Sequence, residues 1–496
     1  MKKLLWVWIA LIGSAAPARA GFSIGTGGAA AKSSAAAVAK AIAKSSQTVS
    51  NSDTGNYGTG NNVGGAPIVP VPGITVKWAY TGESVYYASP AVAPDGTVYF
   101  GTSDGFVYYS GFWMKGQRPP SKPYGVYAYN PNGTQKWKYS DGDSPVRGSP
   151  VLGPDGTLYI VLEKLGASLA STVDELHAVT PSGQQKWKVT VSTTYSEIGA
   201  LEPAIAADGT IYVAGRDFTA FKPDGTVKWK DLAGPTWTNV YYAAPSIGPD
   251  GTIYYVHWAT ATPWGQNLRA LNPDGTVKWD SPNIGTYPNT CSPSIAADGT
   301  IYLGLHDYSA LSGATNAALL AFTSTGAIKW AFPAGDFDIR DTPSIAADGT
   351  IYFGTKGDNG FVYALNPDGT QKWKYNTFTD VVNCPTCGVD VYDTPAIAVD
   401  GTVYVSNEYG FLYAFHPDGT LKWKDNALMP QGGATDWSSA VIMPDGTLYS
   451  GRTYGVFMAV QTDTMGPSTS AQWPRAHYDN GNTGRSASVS TTVLRK

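Results

Sequence analysis

Residues 342–373 read TPSIAADGTIYFGTKGDNGFVYALNPDGTQKW. Two turn phrases punctuate this stretch, Asp348-Gly349 and Asn366-Pro367-Asp368-Gly369, and each is flanked by short runs rich in Ile, Val, Tyr and Phe. Asp-Gly between such runs is a strong hairpin signal, because glycine accepts the positive φ of a tight turn at no steric cost. The stretch therefore predicts consecutive short antiparallel strands, the outermost ending on Lys372-Trp373.

Both phrases repeat along the chain. Asp-Gly-Thr followed by Val, Ile or Leu and then Tyr begins at Asp95, Asp155, Asp208, Asp250, Asp298, Asp348, Asp400 and Asp445. Lys-Trp recurs at Trp78, Trp137, Trp187, Trp229, Trp279, Trp330, Trp373 and Trp423, at spacings of 42 to 59 residues, which suits a four-stranded blade. The two series are out of step: residues 74–78 open with a Lys-Trp strand, and the last hairpin (438–451) is followed by one further strand near 454–461. That last blade lacks an outer strand, so the first strand is expected to complete it, closing the ring and hiding both sheet edges. The fold expected is all-β, an eight-bladed β-propeller over 74–461. A tryptophan that returns once per blade is read as packing between blades, and the repeated aspartate as a turn former.

Around this ring the chain divides further. Residues 1–20 (MKKLLWVWIALIGSAAPARA) carry two lysines, a short apolar run and a small-residue Ala18-Arg19-Ala20 end, the pattern of a secretory signal peptide whose core is too short to cross a bilayer. No cysteine follows it to take a lipid anchor. Residues 21–73 are a Gly/Ala/Ser-rich arm, read as a flexible tether, and 462–496 form a C-terminal segment. Removing Lys2, Lys3 and Arg19 takes the formal charge from −4 to −7; without a basic run, nucleic acid is not expected as a partner. Only 15% of residues are charged, against about 25% in typical domains, which limits self-repulsion in acid and suits an acidic milieu.

In such a blade the connections between blades and the second-to-third-strand loops share one face, the mouth. The residues just before each Ser-Pro-like motif should line it: Tyr86 and Tyr87, Arg147, Leu201 and Glu202, Tyr241 and Tyr242, Cys291, Arg340 and Asp341, Tyr392 and Asp393, Asp436 and Trp437. These positions differ from blade to blade where the rest of the repeat is interchangeable. An insertion at 104–124 is a candidate lid. Cys384 and Cys387 lie in a Cys-Pro-Thr-Cys loop and are read as a local disulfide in an exported protein. Gly388 after them breaks the haem-attachment pattern, and no second Cys pair offers a zinc site. The five histidines fall in no Ser-His-Asp or metal-ligand motif, and no metal is expected.

Repeats of the form S-P-A-I-A-x-D-G-T-I-Y … Y-A-L-N-P-D-G-T-x-K-W resemble the pyrroloquinoline-quinone (PQQ) type of propeller repeat. Residues 473–486 (WPRAHYDNGNTGRS) resemble a segment that this family often carries at its N-terminus. No adjacent cysteines and no calcium-binding acid and amide set are found, so bound PQQ is not expected. An exported, charge-poor propeller of this type without quinone ligands resembles the tetrathionate hydrolases of acidophilic sulfur-oxidising bacteria. That resemblance implies hydrolysis of tetrathionate to thiosulfate, sulfate and sulfur, without a cofactor, by a periplasmic or surface homodimer. On it, Arg147 and Arg340 would grip the sulfonate ends, Asp341 or Asp393 would activate water, Cys291 would contact the sulfane sulfurs, and Tyr87, Tyr242 and Trp437 would line the substrate. The alternative expectation is a non-catalytic scaffold resembling the propeller of the outer-membrane β-barrel assembly machinery.

Overall fold

A computed structural model describes residues 74–471, except 84, 86–87, 104–123, 143, 147, 165–172, 193–200, 216, 232–242, 260–264, 286–290, 306–317, 336–337, 358–359, 381–388, 426–437 and 453–455, together with 478–479 and 484. The signal sequence, the 21–73 arm, Arg147, Tyr87, Tyr242, Trp437 and the Cys384/Cys387 pair lie outside the described residues. Among the described residues no helix is long and apolar enough to cross a membrane.

The strands form eight four-stranded antiparallel sheets. Blades 1 to 7 cover 91–139, 151–192, 204–231, 246–280, 294–333, 344–376 and 396–425. Each uses its strands in chain order from the inside outward. Blade 8 departs from this order: Val441–Ile442, Thr447–Arg452 and Val456–Gln461 are completed by Thr75–Thr81, whose Thr75 pairs with Gln461 and Thr81 with Val456. The ring therefore closes by the N-terminal strand, as the offset of the two sequence series predicts.

Side chains repeat the same message at the closure. In blade 3, Lys228 Nζ on the outer strand reaches Asp208 at 3.3 Å and Thr210 at 2.9 Å in the hairpin turn. In blade 8, Lys77 makes the same contacts with Asp445 and Thr447 at 3.0 and 2.7 Å, across almost the whole length of the chain. Each outer-strand tryptophan leans on the next blade. Trp373 Nε1 donates to the Pro417 carbonyl at 3.0 Å, and its ring lies where a side chain at Gly419 would go. A Cβ there would meet Trp373 Cγ at 2.6 Å, and Gly419 has a φ of +86°. At the closure no such turn exists, and Trp423 Nε1 donates instead to Asp463 Oδ1 at 3.3 Å.

The short innermost strands of neighbouring blades converge on the axis. The chain's own C-terminal segment lies along them: Val399 N donates to Gly466 O at 3.1 Å, Ser468 N to Ile397 O at 2.9 Å, and Ile247 N to Gly484 O at 2.7 Å. Tyr478 packs on the core shared by blades 4 to 6. Described residues of the segment thus run along inner strands from blade 7 to blade 4, below the mouth.

Candidate functional site at the axial mouth

A belt of hydrogen bonds links the blades where their inner strands begin. Ser89 N donates to Ser149 Oγ at 2.9 Å, Thr394 N to Ser439 Oγ and Ser439 N to Ser89 Oγ, both at 3.0 Å. In these three links the hydroxyl of the Ser-Pro-like motif accepts from its neighbour. Glu202 holds the same motif position ahead of blade 3, and its Oε1 accepts from both the amide and the hydroxyl of Ser149, at 2.8 and 2.6 Å. One blade therefore completes the belt with a carboxylate where the others offer a neutral group.

Asp341 and Cys291 occupy the position just before that motif, ahead of blades 6 and 5. Asp341 Oδ2 is covered and has no hydrogen-bond partner among the described residues. Burial raises its carboxyl well above the usual range; Arg340 works against that and the negative charge of Glu202 adds to it. Burial thus favours the protonated form of Asp341 over the carboxylate that the water-activating role expected of it would need.

Cys291 is turned into the protein. Its thiol is fully buried, donates to the Asp341 carbonyl at 2.9 Å and accepts from Gly304 N at 3.3 Å. Burial pushes its pKa far up, which disfavours the thiolate that sulfur exchange would need, and its hydrogen bonds tie the entries of blades 5 and 6 together. Arg340 is half-buried and directs Nε and Nη2 to Asp338 Oδ2 at 3.3 and 3.0 Å, so part of its fork is already engaged. Asp393 is buried and accepts from the Ser406 hydroxyl, which anchors it to its own blade.

Charge around Asp341 is mixed. Asp390 is held by Gly357 N at 2.8 Å and the Tyr392 hydroxyl at 2.6 Å, and Lys356 Nζ sits 5.7 Å from the Tyr392 ring centre. The charges of Asp390, Glu408 and Arg340 act on Tyr392, and those of Arg340 and Glu202 on Asp341. Sequence reasoning missed Lys356 and Asp390. Both follow from the loops of blades 6 and 7, and their meeting at Tyr392 carries no local sequence signal.

A second polar cluster lies further out. Asp141, Glu175 and His177 bring ligand-type atoms within 4.8 Å of one another. Lys188 fills that space, at 2.8 Å from Asp141 and 3.2 Å from Glu175, and Lys164 is 3.0 Å from Asp141. Asp141 is pulled down to about 2, chiefly by the Lys188 hydrogen bond. The arrangement repeats between other blades as Tyr80, Glu83, Tyr127 and Lys138, and as Tyr375, Asp380, Tyr413 and Lys424. His177 replaces a tyrosine of this lock, with Nδ1 2.7 Å from the Tyr139 hydroxyl. The cluster joins blades 1 and 2.

With this geometry in place, known proteins can be compared. A model of PQQ-type repeats, described as "Outer membrane protein assembly factor BamB", matches residues 124–283 and 264–490. The chain belongs to this family. No curated protein sequence matches it. Among solved structures, BamB from Moraxella catarrhalis aligns at 16% identity over 79% of this chain and 98% of its own, with a TM-score of 0.52. The C-terminal WD40 domain of Sif2 aligns at 11% identity over 78% and 98%, with a TM-score of 0.47. The BamB likeness supports the propeller architecture of this family member.

Proposed function

We propose that the protein is an exported hydrolase of a small sulfur oxyanion, tetrathionate being the substrate its sequence resemblance implies, and that it works at the propeller mouth. The observation that carries this reading is the covered Oδ2 of Asp341, which has no hydrogen-bond partner among the described residues and lies beside Arg340. A buried polar atom without a partner costs about 1–3 kcal/mol, which supports a use for Asp341 beyond holding the ring. A carboxylic acid that retains its proton is what a departing sulfur group needs as a proton donor.

Among the described residues the acids Asp338, Asp390, Asp393, Glu202 and Glu408 and the cations Arg340 and Lys356 belong to the loops of this face, and turnover is expected to be faster in acid. Tyr392 stays neutral throughout, its hydroxyl pushed up by burial and by Asp390. Export by the 1–20 signal would place this activity in the periplasm, at the outer membrane or on the cell surface.

A second reading, a non-catalytic scaffold, is favoured by the match to the family described as an outer membrane protein assembly factor. The same acid-rich mouth would then take a basic segment of a protein partner. Tetrathionate loss by folded protein at about pH 3 and about pH 7, on either side of the reference carboxylate range, separates the two. Fast loss at the acid point alone supports the hydrolase. No loss at either pH, with a basic protein retained at neutral pH, supports the scaffold.

A further inference from the structure

We propose that Glu202 and Asp341 are an acid–base pair at the mouth, Glu202 taking a proton from the attacking water and Asp341 giving one to the leaving sulfur. This rests on the hydrolase reading and names the residues that would perform it.

Three observations lead here. Glu202 precedes blade 3 and Asp341 precedes blade 6, so both stand where inner strands begin at the mouth, three blades apart, and the charge of Glu202 acts on Asp341. Their surroundings differ. Two donors from Ser149 converge on Glu202 Oε1, the arrangement of a proton acceptor, whereas Asp341 Oδ2 faces no donor. Finally, Glu202 breaks the repeat: Ser89, Ser149 and Ser439 occupy its position elsewhere and complete the belt with a hydroxyl. Two carboxyl groups whose environments favour opposite protonation states are suited to divide acid and base roles between them. The charged group beside Asp341 is Arg340; its other close contact is the Cys291 thiol on the backbone carbonyl.

The step balances without an oxidant or reductant. Water attacks a sulfonate sulfur of tetrathionate, a new O–S bond forms, and the adjoining S–S bond breaks with its electron pair leaving on the sulfane sulfur. One water proton passes to Glu202, leaving hydrogen sulfate. The proton of Asp341 passes to the departing sulfur, giving a protonated disulfane monosulfonate, which sheds elemental sulfur to leave hydrogen thiosulfate. Return of a proton from Glu202 to Asp341 through solvent resets the pair.

The test compares wild type with Glu202→Gln and Glu202→Ser, measuring kcat and KM for tetrathionate across the acid range. Glu202→Ser installs the residue that four of the other seven blades use, so the belt and the fold survive in at least that variant. The expected result is a fall in kcat of about 100-fold or more in both, KM within a few fold, and loss of the pH limb set by the base. Wild-type turnover with either folded variant retaining its kcat and pH limb overturns the pair while leaving the hydrolase reading standing. An inactive wild type overturns that reading, and the pair with it.

Discussion

Replacing Gly419 by alanine puts a number on the seating of each tryptophan against the next blade. Gly419 has a φ of +86°, and an added Cβ would lie 2.6 Å from Trp373 Cγ and 2.7 Å from Cδ2. The left-handed backbone costs an L-residue about 1–2 kcal/mol. Forcing the indole back by roughly an ångström is overpacking, worth a further ~1–3 kcal/mol. Gly299→Ala is the internal control: its φ is +81°, but the nearest atom to the new Cβ is Ser324 Cβ at 3.4 Å, an easily accommodated contact. Gly419→Ala should therefore cost about 2–5 kcal/mol and Gly299→Ala only about 1–2 kcal/mol. Urea unfolding followed by near-UV circular dichroism and tryptophan fluorescence measures both. Equal losses in the two variants would refute a glycine reserved for the neighbouring blade's indole.

Other consequences are as direct. In a Cys384→Ser/Cys387→Ser background, Cys291 should resist a thiol reagent at pH 8 in folded protein and react at once in denaturant; fast reaction when folded would contradict its burial. His257 is held down to about 4, first by burial and then by Arg269. Protonation therefore favours the unfolded chain: the contribution is complete above pH 6.5 and lost as pH falls from 6.5 to 4, on the order of 3 kcal/mol. His257→Gln should flatten the stability profile over that interval, and an unchanged slope would count against it. Asp141 is depressed to about 2, so its lock contributes above its unfolded pKa and fades as pH falls through about 2. Asp141→Asn should lower the melting temperature at pH 7 and match wild type below pH 2; a constant difference across that range would show that the ion pairs are not the cause.

Much of the architecture was legible because it is periodic. Asp-Gly turns and Lys-Trp strands count the blades, and their offset by one strand forces Thr75–Thr81 onto the last sheet. The mouth was legible only as a set of positions. That Asp341 precedes a Thr-Pro motif says where it begins, but not that its Oδ2 is covered or that the Glu202 charge acts on it; those depend on residues well over a hundred positions apart meeting at the axis. Cys291 depends on the same long-range information. Its place in the repeat matches a mouth residue, while Gly304 and the Asp341 carbonyl, which turn it inward, belong to other stretches of chain. His177 falls on the strand position where other blades have tyrosine, but its partner Tyr139 belongs to the neighbouring blade and carries no local signal.

The most direct test of the account is tetrathionate loss at about pH 3, below the reference carboxylate pKa, by wild type and Asp341→Asn, both shown to be folded. The account predicts rapid loss by wild type and a fall of about 100-fold or more in the variant, because asparagine cannot supply the proton. Equal rates in the two proteins would contradict it.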